Sequence, residues 1–280
     1  MIFINWKTKV LKIKLQYYWF YKPTLQFKIL FILAKIIIMK KIFLLTLTSL
    51  AFISCSSDNE SPVGQTSFVL PATIGNYWVY DIEAAGNPTS KDSLFISRDT
   101  IIGSETYKKF ETENNLATGF YSSSLKNNGV RKLQNKLLLT GDLSINNGQL
   151  PVGLDLSLID FVIFNANASN NETLSTKSGT INETINGYPI TINYTLRSKS
   201  GENLTLFTSP NTDEYNDVKV TKVILNATIS TSISGINIPI ITNQDVLTSI
   251  QYIANGIGVV HTNTTITYTI SEVIAEQLGV

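Results

Sequence analysis

The 280-residue chain is poor in the residues that carry most protein chemistry. It has one cysteine, one histidine and two methionines, and only 15% of its residues are charged. A single cysteine excludes internal disulfides, so the fold must stand on its apolar core. Structural zinc sites need several His or Cys ligands, which one of each cannot supply. The first 54 residues contain no Asp or Glu at all, against nine lysines. That leaves 13 basic and 21 acidic residues from Cys55 onward, a net charge of −8. A mildly acidic domain without a basic patch is a poor nucleic-acid partner.

The lysine-rich end divides again at Met39. Lys40 and Lys41 form a charged start, Ile42–Ile53 is a twelve-residue apolar run, and small Ser54 precedes Cys55. Charge, short apolar stretch and small residue, in that order, make a secretory signal, and the run is too short to span a bilayer. A membrane helix through residues 27–53 would bury Lys35, Lys40 and Lys41, at about 2.5–3.5 kcal/mol each. Residues 1–38 therefore read as a mis-called extension ahead of a true start at Met39.

Phe52-Ile53-Ser54-Cys55 resembles the lipobox of bacterial lipoproteins, with Phe52 in place of the usual Leu. The resemblance implies diacylglyceryl attachment at Cys55 and removal of the signal. One acyl chain binds a membrane only reversibly, whereas two or three hold firmly. Ser56-Ser57-Asp58-Asn59-Glu60-Ser61-Pro62 is a polar, acidic tether. It resembles the acidic export signals that follow the lipidated cysteine in Bacteroidetes lipoproteins. Ser56, where an Asp would favour inner-membrane retention, implies an outer-membrane anchor with a periplasmic or surface-exposed domain. The expected organisation is signal peptide 39–54, tether 55–66 and folded domain 67–280.

From Thr66 the chain alternates with period two. Tyr188, Ile190, Ile192, Tyr194 and Leu196 interleave with Pro189, Thr191, Asn193 and Thr195, and similar patterns run through 223–233 and 265–270. One face of each strand is apolar and the other is a wet Thr/Ser/Asn surface. Further strands are expected at 76–83, 91–98, 104–111, 119–125, 129–134, 136–140, 156–165 and 203–208. The nearly continuous apolar run 156–164 predicts a central strand covered on both faces. Residues 243–256 read as a strand rather than a helix, because Ile, Val, Thr and Tyr dominate them. Turn signals fall at 85–88, 127–129, 146–148, 200–201 and 209–211. Glu183–Ile190 and Thr231–Ile240 echo each other as a recurring Gly hairpin. An all-β fold follows. Either a single large, strongly curved antiparallel sheet or open barrel would satisfy the pattern, with a β-sandwich as the alternative.

Leu70-Pro71-Ala72-Thr73-Ile74-Gly75-Asn76-Tyr77-Trp78-Val79-Tyr80 carries a P-x-x-x-G-N-x-W-x-Y opening. With Asp92-Ser93-Leu94 and Tyr252–Val260 it resembles uncharacterised Bacteroidetes lipoproteins of the Flavobacterium type. The resemblance implies a curved antiparallel sheet and brings no known activity.

No catalytic or cofactor constellation emerges. His261, in an expected strand, lacks a G-x-S-x-G elbow and reads as a strand residue. Asn211, Asp213, Tyr215 and Asp217 alternate like calcium ligands, but the central Gly is missing and Lys222 stands where Glu should close the loop, so they read as a solvated turn. Tyr77, Trp78 and Tyr80 are candidates for a sugar-stacking platform, weighed against packing. Asp92-Ser93-Leu94 and Asp99-Thr100-Ile101 resemble the D-[ST]-aliphatic acceptor of Bacteroidetes O-glycosylation. The N-x-[ST] sequons of the chain follow from its composition. The expectation is a membrane-anchored, non-enzymatic binding or scaffold protein without metal or cofactor. A carrier of apolar ligands and a carbohydrate-binding or carbohydrate-active protein are the alternatives. If translation starts at Met39, proteome digests will yield no peptide mapping upstream of it; one such peptide refutes that start.

Overall fold

Among the described residues, eleven strands in sequence order make two antiparallel sheets, and in each sheet every strand pairs with its neighbour along the chain. The computed structural model describes residues 68–84, 88–145, 150 and 153–272, all within one unit, Thr66–Val280. Sheet 1 holds β1 (Tyr77–Ile82), β2 (Ser90–Ile102), β3 (Glu105–Thr112), β4 (Gly129–Leu133), β5 (Lys136–Ile145) and β6 (Leu154–Asn165). Sheet 2 holds β7 (Thr173–Ile185), β8 (Tyr188–Thr208), β9 (Glu214–Ile233), β10 (Ile236–Ala254) and β11 (Gly258–Ile266). The all-β expectation stands, and of the two arrangements the chain takes the two-sheet one. The signal, the tether and Cys55 lie outside the described residues, as do the turns expected at 146–148 and across 85–87.

Alternation explains the packing. Leu94, Ile96, Leu143, Leu156 and Leu158 from sheet 1 meet Ile192, Leu196, Leu225, Ala227 and Ile229 from sheet 2 in one cluster. Fully burying a Leu or Ile side chain contributes about 1.5–3 kcal/mol, which makes this shared core the main source of cohesion. The two echoing hairpins turn through Asn186-Gly187 (φ 51° and 84°) and Ser234-Gly235 (φ 52° and 80°). Two consecutive left-handed residues make a type I′ turn, whose twist matches the flanking strands. Residues 243–256 are strand for all but their last two positions, as their composition implied.

Three local expectations fail for physical reasons. Residues 119–125 are not a strand: Phe120–Leu125 forms a short helix, α1. The buried Asp92 carboxylate, 2% exposed, accepts hydrogen bonds from Thr118 N (2.9 Å), Thr118 Oγ1 (2.9 Å) and Gly119 N (2.8 Å). It thereby satisfies donors that a helix start leaves orphaned. Ser123 and Ser124 then return their hydroxyls to the carbonyls of Gly119 and Phe120.

Strand β6 is not central but the last strand of sheet 1. Its buried positions run Leu154, Leu156 and Leu158, then Phe161 and Phe164, while Ile159 is 82% exposed. The parity changes at Asp160, whose φ of 49° bulges the strand, so an apolar run on both parities reflects a switch of face. Ser200-Gly201 is likewise not a turn but an irregularity inside β8. A Cβ on Gly201 would lie 2.9 Å from the Val220 side chain, so the close approach requires glycine.

Asp92→Ala removes the buried acceptor that the amides of exposed Thr118 and half-buried Gly119 share. The expected loss is about 2–4 kcal/mol, on the scale of losing charge-assisted hydrogen bonds. Urea denaturation midpoints measure it; a loss under about 0.5 kcal/mol, the range of ordinary surface substitutions, contradicts the assignment.

Candidate binding surfaces

The two sequence landmarks, 70–81 and 252–260, meet in space. Trp78 Nε1 donates to the Ile257 carbonyl at 2.8 Å, and Tyr80 Oη donates to the Val259 carbonyl at 3.1 Å. Val69 N donates to Asn255 Oδ1 at 2.7 Å, and Gly256 N donates back to the Val69 carbonyl at 2.8 Å. Asn255 Nδ2 reaches Asp217 Oδ2 at 2.7 Å, tying the joint to β9. The Trp78 ring stacks on Phe110, with centroids 6.2 Å apart. Gly258, at φ 102°, lies against the indole, where a Cβ would fall 3.2 Å from Nε1. This clasp joins β1, an edge of sheet 1, to the β10–β11 turn at the edge of sheet 2.

Behind the clasp lies an apolar cavity of about 100 Å³, bordered by Trp78, Tyr121, Leu137, Phe161, Ile253 and Val259 among others. Tyr80 and Tyr121 meet edge to face there, centroids 5.9 Å apart. Burial pushes both phenols up, and for Tyr80 the neighbouring Tyr121 adds to the shift, so both stay protonated. One polar chain borders the cavity. Thr221 Oγ1 donates to Gln251 Oε1 (3.0 Å), Gln251 Nε2 donates to Ser249 Oγ (2.8 Å), and Ser249 shares a hydrogen bond with Thr264 (2.8 Å). Pockets for drug-sized ligands run to about 300–1,000 Å³. This one admits a few small apolar atoms, not an acyl chain with its headgroup.

A second concavity, about 440 Å³, opens on sheet 2 between side chains of a different kind. Asn193, Thr195 and Arg197 come from β8, Asn226 and Thr228 from β9, and Asn243 from β10. The pairs Asn193↔Thr228 and Thr195↔Asn226 are directly opposed, so they share a face. That face is the outer one, because Ile192, Leu196, Leu225 and Ala227 on the other parity are core. Strand β10 breaks register three times between Pro239 and Leu247, and bulges re-aim side chains. Asp245 thereby takes both Asn226 Nδ2 (3.0 Å) and Arg197 Nη2 (3.4 Å) on one oxygen. Arg197 Nε is buried with no partner.

A third constellation was not foreseen from the sequence. Asp160 receives Arg131 through two bonds (2.9 and 2.6 Å) and Tyr107 Oη at 2.7 Å, while Arg131 Nη1 also reaches Glu105 at 2.9 Å. The Arg131 hydrogen bonds, with those from Tyr107 and Thr140, hold the Asp160 carboxyl below its usual range, against desolvation. A fully paired carboxylate is a brace for the bulge rather than an acid. The only signal for it in the sequence was one acid inside an apolar run.

The residues singled out from sequence are dispersed. His261 sits beside Tyr252 and Phe207, with ring centroids at 5.5 and 5.8 Å, and burial lowers its pKa. Tyr77 is 71% exposed on the face of β1 opposite Trp78 and Tyr80, so the three rings share no platform. Asn211 Nδ2 bonds Asp213 Oδ2 (2.9 Å) in a tight turn, whereas Asp217 serves the clasp, so the alternate oxygens do not converge. Among the described residues no three His, Cys, Asp or Glu side chains gather as metal ligands. Asp92 is occupied by α1 and Leu94 is core, which leaves Ser93 half-buried between them. Thr100 lies near the tip of the β2–β3 hairpin, beside exposed Ile101. No family model, curated protein or solved structure matches this chain.

Trp78→Phe keeps a ring against Phe110 but loses the bond to Ile257. The expected cost is about 1 kcal/mol, with faster amide exchange at Gly256 while Leu196 and Leu225 stay protected. Uniform acceleration across both sheets would show that the indole bond does not act locally at the clasp.

Proposed function

We propose that this chain is an envelope lipoprotein, held at a membrane through Cys55, whose β domain is a non-enzymatic binding module. The observation that carries the reading is positional. The chain's lone cysteine stands directly after the Lys-Lys start, the twelve-residue apolar run and Ser54. The described domain begins thirteen residues later at Phe68, a distance that extended chain bridges with at most about 45 Å. Phe68 packs on Phe164 (centroids 5.3 Å apart), and Val69 is locked to Asn255. A tether would thus pull on an end of the domain that is fastened to both Phe164 and Asn255.

Two observations support a binding role on the outside of the molecule. The apolar cavity behind the clasp measures about 100 Å³, short of the few hundred Å³ that a carrier of apolar ligands needs. Sheet 2 presents a larger polar groove to solvent. A carbohydrate reading that depends on Tyr77, Trp78 and Tyr80 as one stacking surface has lost that surface.

The anchor is tested by palmitate labelling and fractionation. The natural chain is expected to incorporate label and sediment with membranes, and Cys55→Ala to remain unlabelled and soluble after lysis. Membrane retention of Cys55→Ala, or an unlabelled natural chain, would overturn the reading.

A further inference from the structure

We infer that the groove on the outer face of sheet 2 binds a neutral saccharide, a proposal that rests on reading the domain as a binding module. The argument starts from what the groove offers. Three amides, two hydroxyls and one guanidinium supply donors and acceptors together on Asn193, Asn226, Asn243, Thr195, Thr228 and Arg197. A sugar hydroxyl both donates and accepts, so a mixed set of this kind matches consecutive ring hydroxyls.

Charge narrows the choice. Asp245, 3.4 Å from Arg197, offsets the one positive charge, so an anion gains little there. The same pairing leaves no free carboxylate for a cation, and the side chains are too polar for an apolar ligand. Preorganisation points the same way. Asn226 and Arg197 are fixed by Asp245, and Asn193 by Thr180 Oγ1 at 2.7 Å. Side chains already held in place lose less rotamer freedom on binding. The two rows of the groove follow the strand direction, beside a strand, β10, whose register breaks three times. An extended chain of sugars fits such a trough better than a compact molecule does.

The test uses the full-length protein in detergent, passed over immobilised amylose, cellulose, xylan and mannan, with immobilised casein peptides as the protein control. Retention on at least one polysaccharide is expected, competed by its soluble oligosaccharide. Arg197→Ala and Asn226→Ala should each weaken that binding tenfold or more. Because those two belong to the Asp245 network, Asn243→Ala, outside it, is the second variant. It should weaken binding severalfold with an unchanged unfolding midpoint. Asn182→Ala, on β7 beside the groove, should bind like the natural chain. Retention on no polysaccharide, equal loss in Asn182→Ala, or retention on casein alone would overturn the proposal. The membrane anchor is read separately: a palmitate-labelled chain that ignores every polysaccharide removes the groove but leaves the lipoprotein, and an unlabelled chain that binds one does the reverse.

Discussion

The apolar core shared by the two sheets is what the rest of the structure depends on, and the indole of Trp78 on the Ile257 carbonyl sets how one pair of sheet edges meets over it. Each sheet ends in an unpaired edge strand, and the shared core alone does not dictate how those edges meet. On one side the problem is solved by Trp78, Tyr80 and the Val69–Asn255 exchange. On the other, β6 meets sheet 2 through hydroxyls: Val162 N donates to Ser175 Oγ, and Ser198 Oγ donates to the Val162 carbonyl. Neither seam is a backbone ladder, so the structure is not a barrel. Both seams nonetheless cover edges that would otherwise template pairing with another chain. A hydrogen bond contributes only about 1 kcal/mol net. The leverage of the clasp comes from the aromatic rings it holds over the interior.

Much of this was legible in the sequence, because a period of two is a direct statement about strand faces. Ile190, Ile192 and Leu196, like Leu225, Ala227 and Ile229, are buried as their alternation implies, although Tyr188 and Ile233 at the hairpin ends are exposed, and the Asn-Gly and Ser-Gly turns form as such sequences do. What misled was composition without its tertiary partner. Phe120 and Tyr121 favour strands on propensity, but Asp92, 27 residues from Gly119 in sequence, holds the Thr118 and Gly119 amides where the chain enters a helix. The apolar run 156–164 resembles a doubly covered strand only if its parity is constant, and Asp160 changes it.

The same division holds for the functional surfaces. The proposed lipidation signal is local chemistry, contiguous from Lys40 to Cys55, and is read without any fold. Both halves of the clasp stood out as unusual stretches, but their meeting could not be seen across a separation of 179 residues. The groove was less visible still. Asn and Thr on the wet parity resemble any solvated strand, and nothing in the chain announces that breaks in β10 bring Asp245 to Arg197, 48 positions away. Sites assembled by bulges escape periodicity arguments, because a bulge is where the period fails.

Two polar networks show how burial assigns roles here. Around Asp160, every strong donor in reach is spent on the carboxylate, and the result is a brace that maintains a bulge. Around Asp245, a single oxygen is shared between Asn226 and Arg197, one of them at a long 3.4 Å, and a guanidinium nitrogen is left over. The first network is complete and has nothing further to gain from solvent or ligand. The second is incomplete where the sheet is open. Buried polar groups cost free energy when unpaired, so Arg197 Nε leaves the second network one bond short beside the 440 Å³ groove.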